Sequence, residues 1–383
     1  MLENQHDLFD LAEDVNYLNG AYMSPMLKEV AAVGEVALRQ KLRPNEIEPV
    51  DFFQDLRKLR REFANLIGCQ DPDQIVTIPS VSYGMATACK NLDIRGKEVI
   101  VVEGQFPSNV YPWLTLAKES GGSVKIIPAP KDGARGIKWN QAILEAINEH
   151  TGVVAIGHIH WADGTRFDLE AIRAKTREVG AKLIIDGTQS VGALPFDLAK
   201  FEPDVLVCAG YKWLMGPYGI GLAYYNQDFN NGSPLEENWI NRKDSENFSA
   251  LVDYQESYNA GALRFGVGEQ SNFILVPMLL KALEQINNWG VENIQAYCEQ
   301  ITKRPIDRLK ELGFWVEEPE LRTAHLFGIR HHKLNTEHLA NMLKAKQIFV
   351  SVRGDAIRVS PYVHNSEQQL FELVDVLQTC LNE

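Results

Sequence analysis

Two side chains in this sequence stand where a carbonyl cofactor needs them. The run LIIDGTQSVGALPFDLAKFEPDVLVCAGYKWLMGPYGIG sets Asp186 just past one buried apolar stretch and Lys212 just past the next. In an open α/β sheet, ligands bind beyond the carboxyl ends of the strands, so both side chains point into one crevice. An amine and a carboxylate sharing a crevice suit pyridoxal 5′-phosphate (PLP). The lysine forms an imine with the aldehyde, and the carboxylate keeps the pyridine nitrogen protonated so that the ring accepts electrons from a substrate carbanion. Gln189, in the turn after Asp186, is within reach of the phenolic oxygen as an amide donor.

Taken singly, an Asp after a strand is a common turn residue or cap, and a lone Lys is usually on the surface. The flanks of Lys212 argue otherwise. Tyr211 and Trp213 enclose it and Gly-Pro-Tyr-Gly-Ile-Gly follows, which is not the pattern of a solvated face. Upstream, Ser80, Val81 and Ser82 open an apolar helical stretch in IPSVSYGMATACKNL. Free N–H groups and the helix dipole favour a phosphate there, although a Ser at a helix start is also a plain cap.

The run 186–221 resembles the class V aminotransferase family of fold type I PLP enzymes, which includes cysteine desulfurases, selenocysteine lyases, kynureninases and isopenicillin N epimerases. The likeness extends from YLNGAYMSP (17–25) to IRVSPYVHNSEQQLFEL (357–373). It implies an α/β fold with a mostly parallel seven-stranded sheet in a large PLP-binding domain and a small α+β C-terminal domain. The corresponding boundaries are an arm at 1–25, the large domain at 26–265, and a linking helix with the small domain at 266–383.

The resemblance also assigns roles. Ser80, Val81 and Ser82 take the register of the phosphate-binding turn, Phe106 that of the ring stacked on the pyridine, Tyr211 that of a phosphate donor, and Arg358 that of the arginine gripping a substrate α-carboxylate. Phe106 and Tyr211 are kynureninase-like choices, whereas Gln189 is desulfurase-like, so the subfamily cues disagree. A Phe stacks but moves no protons, leaving acid–base work to Lys212 or the substrate's surroundings. The stretch SVRGDAIRVS has no Cys where persulfide-forming desulfurases carry one. The expected activity is amino-group transfer on a small amino acid; a β-lyase without a persulfide Cys is the alternative, and a non-catalytic PLP-binding homologue a further one. The family also implies a homodimer, with Trp239 or Ser271 reaching a partner's phosphate.

The elements that position these residues follow from hydrophobic patterning. Between 98 and 226, short β-branched runs (EVIVVEG, SVKIIPAP, TGVVAIGHIHW, KLIIDG, DVLVCAG, GIGLAYYN) alternate with helical spacing at 139–148 and 169–178. Buried, largely parallel strands with helices on both faces are expected. The polar, aromatic-bearing segment 227–262 has no clear period and reads as a functional or partner-contacting excursion. Beyond it come a long apolar helix at 271–289, then helix, strand, strand, helix, strand and a final helix at 366–380.

Composition narrows the class. Of 383 residues, 45% are hydrophobic and 51 acidic side chains outnumber 38 basic ones, a formal charge of −13 that opposes nucleic-acid binding. No run has the apolar length of a membrane helix, and the acidic start MLENQHDLFDLAEDV is unlike a signal peptide, so a cytoplasmic location is expected. The five cysteines are scattered without a C-x-x-C pair, reading as free thiols. His158 and His160 alternate on one strand and His331 and His332 form a doublet, but no third ligand type accompanies them and no metal is expected. His160 and Trp161 are candidates to line the pocket.

Overall fold

The computed structural model describes residues 2–131, 133–333 and 336–382. Seven strands form the central sheet: β1 (Ile75–Ile78), β2 (Glu98–Val102), β3 (Ser123–Ile127), β4 (Thr151–Gly157), β5 (Lys182–Asp186), β6 (Val205–Ala209) and β7 (Gly221–Tyr225). Their spatial order is β1-β7-β6-β5-β4-β2-β3. The valine- and isoleucine-rich runs EVIVV, KLIID and VLVCA form the middle because helices cover both faces and leave no solvent side for polar alternation.

One strand departs from the largely parallel expectation. β7 runs antiparallel to both β6 and β1. The chain between Ala209 and Gly221 forms only turns, and a parallel return needs a crossover of a dozen or more residues. The consequence is that the ends of β1 and β6 and the start of β7 share one edge, since Gly221 pairs with both Ile78 and Ala209. Across the rest of the sheet Gly157, Asp186 and Val207 lie in one row. Every loop carrying a predicted site residue from the large sheet therefore leaves from this edge.

The long apolar helix begins at Leu275 rather than 271 and runs to Trp289, with Val291–Glu311 following after Gly290. A four-stranded antiparallel sheet then forms from β8 (Trp315–Val316), β9 (Phe327–Arg330), β10 (Ser351–Arg353) and β11 (Ala356–Val359), in the order β10-β11-β9-β8. The last expected strand is in fact a hairpin. Gly354, at φ +59°, turns β10 back onto β11 through a Gly-Asp pair. The closing helix is Glu367–Asn382, and a second core, including Phe327, Ile357, Leu370 and Leu377, lies between this sheet and its helices.

The amino-terminal arm joins the two sheets' surroundings. Asn16 and Tyr17 pair with Ile348 and Phe349, and Asn19 bridges to Ser360. Ser24 Oγ then donates to the Lys212 carbonyl at 2.6 Å, tying the arm to the loop after β6.

Candidate active site

Lys212 lies in the turn after β6 and is only 6% exposed. Trp213 anchors it by inserting into the core and donating from Nε1 to Gln189 Oε1 at 2.9 Å. Gly192 makes this packing possible: a Cβ there would stand 2.3 Å from the Trp213 carbonyl, and its φ of +98° is one that side-chain-bearing residues avoid. Among the described residues Lys212 Nζ has no hydrogen bond or ion pair; it faces the rings of Phe106 and Tyr211 at 5.5 and 5.7 Å. Burial lowers its pKa to about 8, with Arg358 and Arg353 adding to the effect and Asp186 opposing it.

Asp186 ends β5 at the same edge. Its carboxylate accepts the Thr188 N–H at 3.0 Å, and Thr188 Oγ1 in turn accepts the Ala209 N–H, which locks the loops after β5 and β6 together. Burial pushes its pKa up, against the Thr188 hydrogen bonds and the charge of Lys212. Among the described residues it forms no ion pair. A half-buried carboxylate lacking a cation is the partner a protonated pyridine nitrogen requires.

Gln189 is fixed in orientation by Trp213, which can only donate, so the amide oxygen faces the indole and Nε2 donates to Ala21 O at 3.1 Å. The second Nε2 hydrogen remains for the crevice, which Gln189 lines with Asp186 and Phe106. Phe106, on the loop after β2, is 36% exposed and meets Trp161 edge to face at 5.4 Å. Its ring covers the crevice without offering a proton.

Ser80 caps the helix Val81–Lys90, accepting the Tyr83 N–H at 3.2 Å. The plain capping role is thus present, and it also exposes the first turn. Among the described residues the N–H groups of Val81 and Ser82 have no acceptor, and Ser82 is exposed. The helix packs its Gly84 against Val207 of β6, which holds that first turn over the edge bearing Lys212. The Tyr211 ring lies tilted against Tyr218, centroids 4.6 Å apart, and is half-buried.

Arg358 comes from β11 and is 1% exposed. Its Nη1 donates to the Trp161 carbonyl at 2.8 Å; its Nε is buried without an acceptor, and among the described residues no carboxylate pairs with it. Burial lowers its pKa to about 9, with Arg353 adding to the effect, so the guanidinium stays charged at neutral pH. The amine, the free amide hydrogen, the unfilled first helical turn and the half-buried carboxylate together fit PLP.

The two histidines after β4 part ways. His158 packs into the core against Phe196 and Phe201, and burial drops its pKa to about 3. His160, two residues on, turns to the crevice side and bonds Asp163 through Nδ1 at 3.1 Å. Trp239 packs on Phe52, Phe53 and Phe248 of its own chain, and Ser271 Oγ donates to the Phe52 carbonyl. Cys89, Cys208, Cys298 and Cys380 are buried and Cys69 is half-buried. Burial raises the Cys208 thiol well above its ordinary pKa, so it carries no thiolate for the crevice. Sequence reasoning did not single out Ala21, Ser24, Asp163 or Arg353; the arm's Gly-Ala-Tyr-Met-Ser run was a usable signal, whereas Asp163 and Arg353 gain meaning only from their neighbours in space.

Comparison with known proteins gives a family and a fold. A family model described as Aminotransferase class-V matches residues 48–371. An uncharacterized aminotransferase, YcbU, of Bacillus subtilis is 26% identical over 319 residues, covering 82% of this chain and 81% of its own. A probable cysteine desulfurase of Pyrococcus abyssi is 25% identical over 351 residues, covering 85% and 82%. In fold, the chain resembles the apo cysteine desulfurase of Thermococcus onnurineus, with a TM-score of 0.85, 20% identity and coverage of 100% and 99%. It also resembles the cystine C–S lyase C-DES, with a TM-score of 0.83, 19% identity and coverage of 96% and 98%.

Proposed function

The chain belongs to the class V aminotransferase family of PLP-dependent enzymes, and we propose that it is an aminotransferase acting on a small amino acid, with Lys212 as the residue that carries the cofactor. One observation carries the reading: among the described residues Lys212 Nζ is a buried amine without a partner and Arg358 a buried guanidinium without a counter-ion, and the two are linked through Phe106, which faces Lys212 and meets Trp161, whose carbonyl accepts from Arg358. An amino acid brings an amine to the first and a carboxylate to the second.

PLP, when bound, supplies the electron sink that stabilises negative charge on the substrate α-carbon. The chain's own groups do the rest. Asp186 balances the charge on the pyridine nitrogen, while Ser80, Val81, Ser82 and Tyr211 are the donors for the phosphate. Gln189 offers its free amide hydrogen to the phenolic oxygen. Phe106 covers the crevice, and Arg358 fixes the α-carboxylate so that the α-hydrogen lies toward Lys212. Lys212 Nζ would be the base for that proton and the acid that returns it; a pKa pulled down toward 8 would let one group do both near neutral pH.

A β-lyase is the second reading, favoured by fold neighbours that include a C–S lyase. It shares every residue named, since the outcome depends on which substrate bond stands perpendicular to the conjugated plane. A persulfide route is disfavoured, because no Cys lies in SVRGDAIRVS and Cys208 is a buried thiol. The family expectation of a homodimer belongs to the same proposal, and exposed Val252 and Tyr254 in the 227–262 excursion support it as a contact. Incubation with single amino acids and identification of products decides: pyridoxamine phosphate with the matching keto acid supports transfer, whereas a released side chain with the cofactor unchanged supports the lyase.

A further inference from the structure

Two guanidinium groups face Trp161 with no carboxylate between them. Arg353 lies 5.6 Å and Arg358 5.9 Å from the indole centroid. Both come from the β10–β11 hairpin, where Ser351 is paired with Arg358 and Arg353 with Ala356. Among the described residues neither forms an ion pair. Arg358 donates to the Trp161 carbonyl and, at 3.5 Å, to Ser351 Oγ, whereas Arg353 donates only to the Val352 carbonyl. Like charges gathered in a partly dry site repel strongly, and leaving a buried one unpaired is costly.

Among the described residues the carboxylates lining the cleft outside Trp161 are engaged elsewhere than at Arg353 or Arg358. Asp163 is taken by His160, Arg135 and Arg330. Asp355 accepts from Arg330 Nε, and Glu103 from the Ala129 N–H. Two polar atoms of residues lining the same cleft are buried with no partner at all, Arg330 Nη1 and His160 Nε2. Neither Arg353 nor Arg358 is paired with a carboxylate of the described residues, and the α-carboxylate of an ordinary amino acid balances only Arg358.

We propose that the substrate carries a second acidic group on its side chain, a carboxylate being the simplest, and that Arg353 grips it while Arg358 holds the α-carboxylate. The inference rests on the role given to Arg358 above and adds the substrate class. Arg353 is then the specificity residue, and its half-exposed position at the cleft mouth lets the side-chain acid approach along the indole face.

Calorimetric titration of the PLP-loaded protein with succinate and with its monoamide, succinamate, tests the proposal with unreactive probes. Succinate is expected to bind about tenfold tighter than succinamate, a ratio worth one decade of Kd. Arg353→Gln is expected to bring the two within about twofold of each other, the decade having been lost. Arg353 makes one backbone hydrogen bond and no ion pair, so this variant keeps the fold. Equal affinities in the parent protein, a preference retained in Arg353→Gln, or no succinate binding by a sample that shows the bound-cofactor absorbance each overturn the proposal. The absorbance separates the two failures: its presence without a succinate preference sinks only the acidic substrate, while its absence sinks the role of Lys212 as well.

Discussion

The Trp161 carbonyl accepts a hydrogen bond from Arg358 Nη1 at 2.8 Å, so a residue of the loop after β4 aims the guanidinium that β11 supplies. The Trp161 indole donates to the Gly104 carbonyl at 2.7 Å, which ties the same loop to the one carrying Phe106. Two loops of the large sheet and one strand of the small sheet are thereby held to one geometry, which fixes the guanidinium of Arg358 by backbone atoms.

Arg358→Lys is expected to lower kcat/KM by on the order of a hundredfold, mostly through KM, because an ammonium replaces a fork that binds carboxylate bidentately. The cofactor absorbance is expected to be unchanged. Steady-state kinetics with the best amino acid, alongside the spectrum, checks both; an unaltered KM contradicts the role.

Gln189→Ala leaves Trp213 Nε1 and the Ala21 carbonyl without their partner in a buried setting. A loss of about 2 kcal/mol is expected from such orphaned groups. Urea denaturation of the cofactor-free protein measures it, and a loss below a few tenths of a kcal/mol contradicts the bonding described.

Lys212 sets a pH dependence whose sign follows from its lowered pKa. The amine that captures the aldehyde is the neutral one, so the rate of PLP uptake by the cofactor-free protein is expected to rise with pH through a midpoint near 8 and then level off. Stability follows the same group in the opposite sense to an ion pair. Between the unfolded value of 10.5 and about 8 the unfolded chain takes up the proton first, so the folded state loses stability as pH falls through that window. Replacing Lys212 by Met is expected to remove that loss, seen as a higher Tm below pH 8 and no difference above about 10.5. Stopped-flow uptake and thermal melts across pH test the two halves.

Much of the site lay open in the sequence because its chemistry is local. Asp186 closes a β-branched run and Gln189 and Lys212 sit in the short loops after such runs, and strand ends at one sheet edge follow from that pattern alone. The antiparallel course of β7 was not legible from its composition, since a buried strand reads the same in either direction; the short turn before it was the signal. The hairpin at Gly354 brings Arg353 to the same indole that Arg358 faces, a placement that depends on the turn and on Trp161 in space and that no local pattern reports. His158 and His160 both lie past the end of β4, where the chain leaves the sheet, and its course there sends one into the core and the other to the crevice.

The absorption spectrum of the purified protein, before and after adding PLP and again for Lys212→Ala, tests the central claim most directly. A yellow band in the parent protein that shifts on adding an amino acid, and that Lys212→Ala cannot form, is the predicted result. No band in the parent protein after PLP is added, or the same band in Lys212→Ala, contradicts the account.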